Sequence, residues 1–450
     1  MTRAWNALIV CLLSGSALAQ GSPLRLTLAE AIHRGLQSNL GVLVAQSRTQ
    51  EASAVSERRQ SLLLPRVQID APVAVQSRSL AAMGISMPNL PPSIKIPGLP
   101  LPQVVGPFST YDVHAYVDQP IVDLTSLHTL RSSRLALAAA RSDDQDARDL
   151  VIRSVAALYL SAQAQFAQMA AAQSQVNTAE ALEKLALDQR AAGVATGIDV
   201  LRAQVQTANE RQSLVQARNR AKSAVLVLAR NIGVSSGTEI ELAEPLEFRS
   251  TIGVHVQEVL PAALQARPDY QSLLRQHDSL NEQIRASRAR YLPRLDASGN
   301  YGGIGRNPGS IRPTGTAQLS LSVTVFDHDR EGEAAQLQAQ MRRLESQMND
   351  ARLGIEQELR QAMLDLDSAA EEVSVAQAAL NLAHQEVELA QLRFSQGVTN
   401  NVEVVTAQDA LSRAQQNSII ALTHHADARI ELARALGNTE ASYAQVFGGR

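Results

Sequence analysis

Cysteine is almost absent from this chain of 450 residues. The only one is Cys11, so no disulfide framework staples the fold. Aromatics make up only 3%. With abundant Ala, Leu, Gln and Arg, that scarcity suits long, closely packed helices rather than a bulky globular core. A strong excess of either charge is also missing, with 41 basic against 44 acidic residues. No basic stripe is visible, and no nucleic-acid partner is expected. Beyond the N-terminal segment, no run reaches the ~18 uncharged apolar residues of a transmembrane helix. Any membrane crossing therefore falls to strands.

The N-terminal segment reads as a secretory signal over residues 1–19. Arg3 supplies the charge, Ala7 to Leu13 the apolar stretch, and Ala17-Leu18-Ala19 a small-x-small cleavage site. Cys11 lies inside the apolar stretch and lacks a lipoprotein-type setting. Cleavage after Ala19 leaves a mature chain without a thiol, stabilised by packing or assembly.

What is present is organised around two matched turns. Gly193-Val194-Ala195-Thr196-Gly197-Ile198-Asp199-Val200 recurs as Gly397-Val398-Thr399-Asn400-Asn401-Val402-Glu403-Val404, an offset of 204 residues. Glycine ends a helix with little strain because it tolerates positive φ. Thr196 and Asn400 are cap candidates, and Asp199 and Glu403 fall in the first turn of the next helix, where the dipole favours an acid. Each copy reads as the tip of a long helical hairpin (tips 193–198 and 397–402). The stretch from Ser126 to Ala192 has no Gly or Pro, and as one helix it would be about 100 Å long at ~1.5 Å per residue.

The rest of the chain also repeats. Leu26 to Leu64 reads as one helix, with Thr27 and Glu30 as a capping box, stopped by Pro65. Val67 to Val75 and Tyr111 to Val117 alternate like strands, separated by a Pro-rich loop at 83–107. Leu64-Pro65-Arg66 recurs as Leu292-Pro293-Arg294 at an offset of 228. Strand-like Leu295 to Tyr301 follows, then a Gly-rich turn from Gly302 to Gly315, then Ala317 to Val325 alternating again. Asp123 and Asp327, and Gly233 and Gly437, return to the offset of 204. Tandem duplication explains this. The domains are then repeat 1 at 20–245, repeat 2 at 250–437 and a tail at 438–450.

The second long helix carries a seven-residue seam of Leu359, Leu366, Val373, Leu380, Val387 and Phe394. Ala362, Ala369, Ala376, Ala383 and Ala390 follow three residues behind. Such a repeat predicts a left-handed coiled coil with close helix approach. The expected fold is mainly α with a small β part: coiled-coil helical hairpins plus four amphipathic strands. Four strands cannot close a barrel, since the smallest outer-membrane barrels need about eight. Three copies would supply twelve. Phe108, Tyr111, Tyr116, Tyr291, Tyr301 and Phe326 cluster in or beside the strand regions, as interfacial anchors would.

Sites for chemistry are lacking. His424-His425 diverge by about 100° on a helix, and Asp327-His328-Asp329 reads as a cap. The glycines at 302, 303 and 305 do not open a helix as a phosphate loop would. No nucleophile motif appears. No cofactor, metal site or enzyme activity is expected.

Gln119-Pro120 before Asp123, the two Leu-Pro-Arg junctions, the matched halves, and Phe394-Ser395-Gln396-Gly397-Val398-Thr399-Asn400 running into Asp409 together resemble the TolC-type outer membrane efflux protein family. The resemblance runs from about Leu26 to Gly437. It implies a homotrimer: an α-barrel/β-barrel channel with its strands in the outer membrane lipid and a helical tunnel across the periplasm. It also implies that the tips meet a periplasmic adaptor (membrane fusion) protein attached to an inner-membrane pump of RND, MFS or ABC type. Drugs or small solutes would be the cargo, with a type I protein-secretion duct as the alternative and a periplasmic adaptor as a further one. By position, Asp199 and Glu403 fall where the family's constriction is lined by acids. Thr406 stands where another acid is expected. Gly193, Val194, Gly397, Val398 and Thr399 are the implied adaptor contacts. Two readings of the acids remain open, a negative collar that gates and selects cations and simple stabilisation of helix N-termini.

Overall fold

The computed structural model describes residues 24–79, 82, 104–244, 248, 256–396, 398, 399, 401–437 and 439. The expected signal at 1–19, nearly all of the Pro-rich loop, and all of the tail but Thr439 lie outside them. In chain order the elements are β1 Leu24–Leu26, α1 Leu28–Ser38, α2 Leu40–Ser61, β2 Arg66–Asp70, β3 Val73–Ser79, β4 Val104–Val122, α3 Leu124–Ala191 and α4 Gly197–Asn231. Then come β5 Ile240–Leu242, α5 Val256–Ala266, α6 Pro268–Ala289, β6 Arg294–Gly305, β7 Arg312–Ser322, α7 Asp329–Ser395 and α8 Asn401–Ala435. The chain divides into two compact units. One takes in the chain up to Ala45, Asp144–Pro268 and the part from Leu353 onward; the other is Gln46–Asp143 with Asp269–Arg352.

The second unit contains an antiparallel sheet. Its order is β2-β4-β6-β7, with β3 continuing the line of β2 along β4. Four strand lines therefore stand side by side. Directly opposed residues of an antiparallel pair share a face, so the register sorts the side chains. Val67, Ile69, Val117, Ala115, Gly299, Tyr301, Ala317, Leu319 and Leu321 fall on one face. It is apolar and open to the surroundings: Ile69, Leu319 and Tyr301 are 72%, 67% and 73% exposed. Gln68, Asp70, His114, Tyr116, Asn300, Thr314, Thr316 and Gln318 fall on the other. There His114 is buried, with Nδ1 paired to Asp112 and Nε2 2.7 Å from the Thr314 hydroxyl. A soluble sheet that solvates one face solvates the polar one and buries the apolar one; here the apolar face is left open, as in a membrane-facing sheet.

Several expectations need correction. The glycines at 302, 303 and 305 are not a turn. They lie within β6, and the connection is confined to Arg306–Ile311 around a 3-10 turn at Pro308–Ser310. A Cβ on Gly302 would stand 2.0 Å from the Val113 carbonyl oxygen, so glycine here permits close strand approach, not chain reversal. The loop at 83–107 gives way to β4 from Val104, which is 19 residues long where the alternation marked only Tyr111 to Val117. Pro72 splits Val67 to Val75 between β2 and β3. β7 stops at Ser322 and not at Val325. Its in-chain partner β6 begins at Arg294, opposite Ser322, so among the described residues the later ones find no strand to pair with.

In the first unit, Leu26 to Leu64 is not one helix. Asn39 takes an extended conformation between α1 and α2, and its side chain accepts from the Gly41 N–H at 2.8 Å. Leu24–Leu26 form β1, which pairs parallel with β5. The sequence shows neither strand by alternation, because three residues are too few for a period. Thr27 does cap α1, accepting from the Glu30 N–H at 3.2 Å, while the Glu30 carboxylate turns to Arg34 at 2.7 Å. The unit's core joins Leu26, Ile32, Val155, Tyr159, Leu228 and Ile430. Burial raises the Tyr159 hydroxyl to a pKa of about 12, and it donates to the Leu26 carbonyl at 3.0 Å. By length and composition α3 is apolar enough to cross a membrane, but half of that window is buried within the chain, and core helices pass the same test. The seam on α7 is buried at Leu359, Leu366, Val373, Val387 and Phe394, and half-buried at Leu380 and Ala376.

Candidate functional site

The first tip joins α3 to α4. Gly193 takes φ +76° with no atom within 4 Å of where a Cβ would stand. Its N–H donates to the Arg190 carbonyl at 3.0 Å, and the Val194 N–H reaches back to the Gln189 carbonyl at 2.9 Å, closing the helix in a Schellman-like end. Val194 is left 67% exposed. Thr196 then caps α4. The Asp199 carboxylate accepts from the Thr196 N–H at 3.0 Å and from its hydroxyl at 2.5 Å. Those two bonds, side chain first, hold the Asp199 carboxyl below the usual carboxylate range. Asp199 thus forms a capping box on its own helix.

The second tip joins α7 to α8. The Val398 N–H donates to the Arg393 carbonyl at 3.0 Å, and Val398 is 65% exposed. Gly397 and Asn400 lie outside the described residues, so their expected turn and cap roles have no geometry here. Glu403 behaves unlike Asp199. The Thr399 hydroxyl donates to one carboxylate oxygen, and Arg393 Nε lies 3.4 Å from the other. An ion pair therefore links the end of α7 to the start of α8. The repeat does not mark Arg393, whose counterpart 204 residues earlier is Gln189. Thr406 donates to the Val402 carbonyl at 2.9 Å, a bond within its own helix.

The structure brings Thr406 to a groove between α4 and α8, lined also by Ile198, Leu201, Val205, Val402 and Val405, with a volume of about 370 Å³. Leu201 and Val205 are 58% and 60% exposed. The spacing 198, 201, 205 is one apolar face of a helix, and that signal was legible in the sequence. Further along α4, Glu210 is pushed above the usual range by burial and by the nearby Asp409, and its carboxylate accepts from Gln206 at 2.7 Å. It borders a cavity of about 210 Å³ lined by Gln175, His384, Gln408 and Gln415.

The sites set aside from sequence have ordinary roles. His424 Nδ1 lies 3.4 Å from Glu372, and His425 is buried against Phe248 with ring centres 4.6 Å apart. Asp327 accepts from the Asp329 N–H at 3.2 Å and pairs with Arg330 at 3.1 Å. Among the described residues, no three His, Cys, Asp or Glu side chains gather as a metal site would require.

An antiparallel sheet with an exposed apolar face, in a chain of long paired helices, is the fold of a class of outer-membrane channels. Solved channels share the fold. VceC of Vibrio cholerae superposes with a TM-score of 0.76 at 16% identity, covering 91% of this chain and 96% of that one. CmeC of Campylobacter jejuni gives 0.74 at 15% identity, covering 92% and 86%. The probable efflux pump outer membrane protein TtgC of Pseudomonas putida is 26% identical over 328 residues, 70% of this chain. That match spans 63% of the length of the relative. The profile of the outer membrane efflux protein family matches residues 31–234 and 259–438. The chain belongs to the outer membrane efflux protein family.

Proposed function

We propose that this chain is the outer-membrane exit duct of a tripartite export system, working as a homotrimer. The observation that carries the proposal is the sheet: one apolar face lies open, and both edges, β7 and the β2–β3 line, have no strand paired to them among the described residues. Lipid offers nothing to backbone N–H and C=O, so a sheet in a membrane must close. Three copies give twelve strand lines in the outer membrane and continue as a helical tunnel into the periplasm. The two repeats, at 20–245 and 250–437, are supported by the recurring order of helix, strands and helical hairpin. Exposed apolar stripes on α4 (Ile198, Leu201, Val205, Val215) and on α7 (Leu364, Val375, Leu382, Leu389) are suited to contacts between copies.

The exposed Val194 and Val398, with Gly193, Gly397 and Thr399, meet a periplasmic adaptor, which attaches an inner-membrane pump of RND, MFS or ABC type. Asp199, Glu403 and Thr406 line the constriction. Transport through the duct is passive, and its cargo is drugs or small solutes. The test is reconstitution of the purified chain in a planar bilayer. Stepwise ion conductance with no energy source is expected, and a chain that inserts without conducting contradicts the proposal.

A further inference from the structure

The sheet register supports an inference that rests on the homotrimer proposed above and deepens it. The two β-hairpins of the sheet are the same hairpin built twice. Val67 faces Val117, Val73 faces Tyr111 and Gln76 faces Phe108. Moving the first member by 228 residues and the second by 204 gives Leu295 with Leu321, Tyr301 with Gly315, and Ile304 with Arg312, all of them observed pairs. The seam between the hairpins, β4 against β6, is also fixed: Gln119 faces Ala297, Val117 faces Gly299, Ala115 faces Tyr301 and Val113 faces Gly303. Around a closed ring of such hairpins, the seam between copies repeats the seam within a copy.

We propose that β7 of one copy pairs antiparallel with the β2–β3 line of the next, Leu321 opposite Ala71, Leu319 opposite Val73 and Ala317 opposite Val75, and that this pairing carries β7 on to Thr324. The direction follows from the sheet, whose neighbours alternate throughout. The faces agree. Val73, Val75, Leu319 and Leu321 are all more than 60% exposed and belong to the apolar face, while Ala74 would meet Gln318 and Gln76 would meet Thr316 on the polar one. A slip of one residue would put every side chain on the wrong face. The backbone agrees as well. The Pro72 carbonyl accepts from the Asp112 N–H at 3.1 Å, so Pro72 is turned toward β4. Its neighbours Ala71 and Val73 then present N–H and C=O to the free edge, and the missing N–H of proline falls where that edge does not need it.

The register also accounts for the early end of β7. Val323 and Val325 alternate as a strand would but pair with no strand among the described residues. Their counterparts in the first repeat, Gln119 and Ile121, belong to β4, which β6 pairs to its end. In the proposed seam, Val323 meets Ile69 of the next copy and Thr324 meets Gln68. Arg66 of that copy arrives beside Asp327, as Arg294 lies 3.5 Å from Asp123 within the chain.

A mature chain without cysteine makes the test direct. In a non-hydrogen-bonded antiparallel pair the Cα atoms are ~4.5 Å apart, within disulfide range. Gln318→Cys with Ala74→Cys should yield disulfide-linked dimers and trimers in oxidised membranes, several-fold above Thr316→Cys or Ser320→Cys combined with Ala74→Cys. Val323→Cys with Ile69→Cys should link several-fold better than Val325→Cys with Ile69→Cys if β7 extends as proposed. A flanking pair that dominates overturns the register, and so does a chain that is trimeric by native mass yet links through none of these pairs. Native mass read on the same samples separates that failure from failure of the trimer itself, which a lone copy would show.

Discussion

The two hairpin tips are built on one frame. Ala186, Val200 and Ala203 are buried in the first; Ala390, Val404 and Ala407 are their counterparts in the second, equally buried. What differs is added to that frame. Phe394 and Val387 complete the second core, together with Leu182 of α3, where the first repeat has Arg190 and Glu183. The acids differ in the same sense. Asp199 closes on Thr196 within its own helix, while Glu403 ties two helices together through Arg393. Equivalent positions have therefore diverged, one tip toward a solvated cap and the other toward an anchored, cross-linked end.

Seven substitutions, grouped in four tests, sharpen or break this contrast. The largest effect is expected at Phe394→Ala, about 3–5 kcal/mol of stability lost as the second tip's core empties. Val200→Ala, which removes two methyl groups from the first tip, should cost about 1.5–2 kcal/mol. Thermal melting and hydrogen exchange at the tips read both, and equal losses would erase the distinction. Next comes the cap. Thr196→Ala should cost about 1 kcal/mol. Because the Asp199 carboxyl is held below its ordinary value, the bond is fully present above the unfolded value of about 4. It is lost as pH falls through the folded value, so an acid melt of Asp199→Asn should lack that step.

The link between α7 and α8 should show a smaller coupling, about 0.2–1 kcal/mol for a partly exposed pair, in a double-mutant cycle of Arg393→Ala and Glu403→Ala. Conductance then separates two roles. If Glu403 works through the link, both variants loosen the channel alike. If it works as a bare charge, Arg393→Ala raises cation selectivity and Glu403→Ala lowers it. The smallest effect is expected at Glu210. Burial and Asp409 raise its carboxyl, so its contribution to stability is complete below the ordinary value and is lost as pH rises through the raised one. Glu210→Gln should therefore stabilise at neutral pH and change little at pH 4, as paired melts would show.

Much of the fold was legible because it is periodic. The seam from Leu359 to Phe394 and the alternation along β2, β6 and β7 repeat often enough to be read one residue at a time, and Thr196 stands out as a cap by its place after the tip glycine. The misreadings have local causes. Asn39 interrupts a helix through its own side chain, which no period announces. The glycines of β6 look like a turn because glycine serves both tight turns and close strand approach. Val323 to Val325 carry a strand pattern that goes unpaired among the described residues. At the site, the acids were found by position, but Arg393 and the groove beside Thr406 depend on which helices meet, and that required the structure.

The central claim is that a single copy has an open-edged sheet and becomes a pore only by sharing walls with others. Native mass of the full-length mature chain, extracted from membranes in lipid-containing particles, tests it most directly. Three copies per particle are expected. A stable single copy, soluble in water and free of lipid, would contradict the account.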